Sequence, residues 1–128
     1  MQIERRTMLG GAIAAVGAAG AAQAQENPAM YGLIGKMTAR PGQRDALITI
    51  LLEGVSGMPG CLSYIVAQDP RDADAIWVTE VWDTAASHRA SLSLPSVQAA
   101  IAKGRPLIAG MEAGTQTVVM GGHGLVKS

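Results

Sequence analysis

The sequence predicts an α+β fold: an antiparallel sheet with helices packed on one face, in a split βαβ order. Three observations predict it. The runs "CLSYIVAQDP" (61–70) and "AIWVTEVW" (75–82) are rich in β-branched and aromatic residues and flank the polar turn "RDAD", which reads as a hairpin. A stretch with apolar residues at helical spacing separates that hairpin from an earlier strand. A second helical region then leads to a last strand, giving the order β-α-β-β-α-(α)-β.

Taken in order, "MYGLIGKMTAR" (30–40) alternates, with Tyr31, Leu33, Gly35 and Met37 on one side. "PGQRDALITILLEG" (41–54) reads as a helix. Pro41 suits a first turn, Asp45 an early turn and Gly54 a stop, and Leu47, Ile50 and Leu51 share a face. "SGMPG" (56–60) is a loop. Along 75–82, Ile76, Val78, Glu80 and Trp82 share one face, and Trp77, Thr79 and Val81 the other. Asp83 or Thr84 caps a helix through about Leu94, which Pro95 ends. Ser96 caps a further helix over 97–110, in which Gly104 and Pro106 favour a bend or an early end, and "GTQTVVMG" (114–121) is the last strand. This is the ferredoxin-like arrangement. Its helices cover one sheet face, yet both faces carry bulky apolar side chains. The bare face therefore calls for a partner, most simply a homodimer packed sheet against sheet.

Residues 1–24 read separately. Arg5 and Arg6 precede an uncharged Gly/Ala-rich run that ends in Ala22-Gln23-Ala24, the pattern of a twin-arginine-type signal peptide. The run is too poor in Leu, Ile and Phe for a lasting membrane anchor. The expectation is a periplasmic protein cut near Gln25, with a domain over 30–121, a flexible tail over 122–128 and no stable membrane insertion. Lysines and arginines balance aspartates and glutamates, ten of each, and no basic cluster stands out, so nucleic acid is not expected as a partner. Cys61 is the only cysteine, and it reads as a small, partly buried apolar residue. There is no G-x-G-x-x-G after a strand, no G-x-S-x-G and no carboxylate or histidine set at metal spacing.

Four fragments in this order, "PGQRDAL", "MPGCLSYIV", "VTEVWD" and "HRASLSLPSVQAAIAKGRPLI", resemble the antibiotic biosynthesis monooxygenase family of dimeric α+β barrels, which includes quinol monooxygenases. The resemblance covers roughly Tyr31 to Gly121. It implies oxygenation of a quinol or similar electron-rich aromatic by O2 with no cofactor, the substrate's own carbanion or radical activating oxygen. The haem-degrading branch of the same superfamily is an alternative. Its pattern needs an Asn on the first strand, whereas the one Asn here, Asn27, precedes that strand. A dimer that binds small aromatics without turnover is another, because one fold hosts many functions.

The stretch "TEVWDTAASH" (79–88) concentrates the chemistry. Glu80, between Val78 and Trp82, is either paired, with Arg89 or Arg105, or carries a raised pKa suited to catalysis. Trp82 is core filler or a stacking wall for a flat substrate, and Tyr64 on the neighbouring strand lines the same space or simply packs. His88 is a helix-packing residue or the base that removes a phenolic proton, since histidine as a class titrates near neutral pH. Catalytic roles are expected for His88 and Glu80, and substrate contacts for Trp82 and Tyr64. His123 reads as a tail residue.

Overall fold

The computed structural model describes residues 29–125. The leader over 1–24, Asn27 and the last three residues lie outside this range. β1 (Met30–Ala39) leads to α1 (Arg44–Gly54), then to β2 (Cys61–Gln68) and β3 (Ala75–Trp82). α2 (Ala85–Ser91), α3 (Pro95–Gly104), a 3-10 turn (Arg105–Leu107), β4 (Ile108–Met111) and β5 (Thr115–Val119) follow. The sheet is antiparallel in the order β2-β3-β1, with β4 and β5 sharing the far edge of β1. β5 pairs with Met30–Ile34 and β4 with Met37–Ala39, so one long strand serves two short ones. This is the ferredoxin-like α+β fold that the sequence predicts.

Three element boundaries differ from expectation, each for a local reason. The helix expected over 97–110 begins at Pro95, with Leu94 rather than Ser96 at its N-cap, and ends at Gly104. Proline's fixed φ and missing N–H suit a first helical turn at Pro95, but at Pro106 they remove the next helical hydrogen bond. The chain tightens into the 3-10 turn and leaves as β4, so Ile108 reaches the core from a strand. α2 stops at Ser91 rather than near Leu94, and Thr84, not Asp83, caps it: Thr84 Oγ1 accepts from the Ser87 N–H at 3.1 Å. Pro41 stands before α1, because Gly42 adopts φ 77° and interrupts helical backbone.

Period-2 alternation decides which face is covered. Ile76, Val78 and Trp82 lie buried beneath the helices, and Ile76 and Val78 join Leu47 of α1 and Ala39 of β1 in the core. α1 and α3 approach closely at Gly54, where a Cβ would stand 2.6 Å from the Ala100 Cβ. Arg44 holds the β2–β3 turn, its Nη1 donating to the carbonyls of Asp69, Asp72 and Ala75 at 3.2, 2.8 and 3.4 Å. Among the described residues, no helix covers the opposite sheet face. Ile34, Ile65 and Trp77 are exposed on it. The Trp77 Nε1–H donates to Asp69 Oδ2 at 2.8 Å, and the Lys36 ammonium stands 5.2 Å from the Trp77 ring centroid.

Candidate active site

Between the helices and the covered sheet face lies a cavity of about 530 Å³. Its walls are mostly aliphatic, from Leu47, Leu51, Met58, Val78 and Val97 among others, with the aromatic rings of Tyr31, Tyr64 and Trp82. The four residues singled out in the sequence, Tyr64, Glu80, Trp82 and His88, all line it.

Strand register sets this arrangement. Glu80 on β3 stands opposite Leu33 of β1 on one side and Tyr64 of β2 on the other. Trp82, two residues on and therefore on the same face, stands opposite Tyr31. α2 brings His88 over this end of the sheet. Its start is fixed by the Thr84 cap and by close packing at Gly60, where φ is 82° and a Cβ would fall 2.6 Å from the Ser87 side chain. One turn later the buried Ser91 Oγ donates to the His88 carbonyl at 2.6 Å.

Glu80 is the polar centre. The Trp82 Nε1–H donates to Glu80 Oε1 at 2.9 Å, and His88 Nε2 lies 3.8 Å from the same oxygen. That second distance is ion-pair range and too long for a hydrogen bond. The partner expected for Glu80 was Arg89 or Arg105; the structure gives Trp82 and His88 instead, and both arginines are exposed on their helical segments. The imidazole sits between two rings, 5.3 Å from Tyr31 and tilted by 33°, and 5.5 Å from Trp82 edge to face. Sequence reasoning missed Tyr31 as a site residue. Its alternation with Leu33 was visible, but its place across from Trp82 follows only from the β1–β3 register.

The electrostatics follow from burial. Desolvation pushes the Glu80 carboxyl above its ordinary range, partly offset by the Trp82 N–H and by His88. Desolvation likewise raises the Tyr64 hydroxyl, and the Glu80 charge adds to it. Tyr64 therefore stays a neutral phenol at physiological pH. Burial also raises the Cys61 thiol, which weakens it as a nucleophile. Among the described residues, no three His, Cys, Asp or Glu side chains gather as a metal-ligand set. His123 is exposed beyond β5 and does not line the cavity.

The raised Glu80 pKa has a consequence for stability. The folded protein binds this proton more tightly than the unfolded chain does. The associated stability is complete below the ordinary glutamate range and is lost as pH rises through the raised value. Glutamine carries no such proton. Glu80→Gln is thus expected to gain stability relative to the parent at neutral pH, and the gap should close in acid. Thermal denaturation between about pH 4 and pH 8 checks this, bracketing the ordinary glutamate range; a gap independent of pH contradicts it.

Fold and site together define a class: a small ferredoxin-like protein with an aromatic-walled cavity and a glutamate–histidine pair in its wall. The family follows from comparison with known proteins. The sequence model of the antibiotic biosynthesis monooxygenase family matches residues 30–103. A crystal structure from Chloroflexus aurantiacus J-10-fl, named as a candidate antibiotic biosynthesis monooxygenase, is 73% identical. It covers 75% of this chain and 98% of its own, with a TM-score of 0.73. A protein from Pseudomonas aeruginosa shares the fold at 22% identity and TM-score 0.66, over 74% of this chain and 98% of its own. Another, from Caulobacter crescentus CB15, does so at 17% identity and TM-score 0.63, over 80% of this chain and 99% of its own. None of the curated proteins matches the chain. The chain belongs to the antibiotic biosynthesis monooxygenase family, whose character is that of monooxygenase-type oxidoreductases acting on small substrates.

Proposed function

We propose that the protein oxygenates a quinol or a similar electron-rich aromatic with O2, without a cofactor. The observation that carries this reading is the apolar, aromatic-walled cavity whose wall holds the Glu80–His88 pair. Its volume falls in the range of about 300–1,000 Å³ usual for small-molecule sites. The half-buried ring of Tyr31 offers a stacking surface for a flat ring, the buried Trp82 backs that wall, and Tyr64 offers a neutral hydroxyl to a ring oxygen.

His88 takes the phenolic proton, and Glu80 steadies the resulting imidazolium. Trp82 holds Glu80 Oε1 in place through its indole N–H. The electron-rich anion then reacts with O2. Quinol and O2 give hydroxyquinone and water: one oxygen atom forms the new C–O bond, the other leaves as water, and the quinol supplies all four electrons. Oxygen-electrode measurements on metal-free protein with a panel of hydroquinones and naphthols test the reading. Uptake above the protein-free rate supports it. Tight binding with no uptake favours a carrier of small aromatics.

Two further proposals concern assembly and address. The bare sheet face with Ile34, Ile65 and Trp77 supports a homodimer packed sheet to sheet. Light scattering is expected to give twice the chain mass at micromolar concentration, and a monomer contradicts it. Arg5 and Arg6 support export to the periplasm by the twin-arginine route. Replacing both by lysine is expected to leave precursor in the cytoplasm, and unaltered export contradicts that address.

A further inference from the structure

We infer that the substrate is amphiphilic: a hydroxylated ring seated against Glu80 and His88 carries an apolar substituent that leaves the cavity across Leu92, Ile101 and Met111. The inference rests on the reading of the cavity as a quinol site and narrows the class of quinol. Two observations carry it. The first is size. An apolar cavity of about 150 Å³ accommodates one benzene ring, whereas this one measures about 530 Å³. A single ring leaves most of it empty.

The second is the rim. Leu92, Ile101 and Met111 line the cavity and are at the same time 47%, 40% and 68% exposed. They stand where the cavity meets solvent, between the α2–α3 junction and the β4–β5 connection. Leu92 follows His88 by four residues and so lies on the same side of the α2 segment, one turn on. A larger ring system held wholly inside would leave these three side chains wet. A chain attached to the ring and running outward covers them and fills the remaining volume together.

The test is a series of hydroquinones with one ring and alkyl substituents lengthened one methylene at a time. Binding is measured by calorimetry on the full mature protein under anaerobic conditions, so that turnover plays no part. Affinity is expected to rise about fourfold per methylene that becomes buried, following the usual transfer free energy of a CH₂ group, and to level off once the chain passes the rim. In the double variant Leu92→Ser with Ile101→Ser, folded by circular dichroism, the rise should weaken for the later methylenes. An affinity that is flat or falls with chain length overturns the inference, as does an undiminished rise in the double variant. Oxygen uptake measured in parallel separates the two readings. A steep chain dependence without uptake sinks only the oxygenase reading, and uptake with a flat dependence sinks only the amphiphilic substrate.

Discussion

His88→Ala is expected to lower turnover of a good quinol by about 10²–10⁴-fold, the usual contribution of a positioned general base. The imidazole lines the cavity, stands between the rings of Tyr31 and Trp82, and faces the Glu80 carboxyl. No other histidine lines the cavity. Alanine is a good helix former, so α2 should persist. The variant should also leave Glu80 with less support for its charge, because His88 is one of the two groups that hold its pKa down. A rise in the Glu80 pKa, read by carboxyl-resolved NMR titration, should accompany the loss of rate. Turnover at the parent rate assigns His88 to packing and moves the base to Glu80 or to solvent.

Trp82→Ala carries the largest expected cost in stability. The side chain is 1% exposed, among the largest fully buried groups in the protein. Truncating a buried tryptophan costs on the order of 3–5 kcal/mol. Two losses combine here: the ring that packs beneath α2, and the N–H that satisfies Glu80 Oε1. Trp82→Phe separates them. It keeps an aromatic body and removes the donor, so its cost should be near the roughly 1–3 kcal/mol of an unsatisfied buried polar group. Urea denaturation of the two variants measures both. Equal losses in Phe and Ala variants contradict the packing share of the account, and a negligible loss in the Phe variant contradicts the hydrogen-bond share.

Much of this arrangement was legible in the sequence because the governing signals are local. Alternation along β3 put Ile76, Val78, Glu80 and Trp82 on one face, and they share it. A threonine before a short polar helix reads as a cap, and Thr84 is one. β4 escaped because "IAGM" is too short to alternate and continues an apparently helical run past Pro106. The Glu80 partner escaped for a different reason. A buried carboxylate suggests an arginine, but an indole N–H two residues along the same strand face meets the need without a second buried charge. Tyr31 escaped because strand register is a property of pairing, which no single strand displays.

The central claim is that this cavity inserts oxygen from O2 into an electron-rich ring using only the protein's own side chains. The most direct measurement supplies ¹⁸O₂ to metal-free protein with a hydroquinone and weighs the product. The account predicts a hydroxyquinone carrying one ¹⁸O atom, with the other in water, and the same labelled product formed about 10²–10⁴-fold more slowly when His88→Ala replaces the parent. A product without label, or oxygen consumed only to hydrogen peroxide, contradicts it.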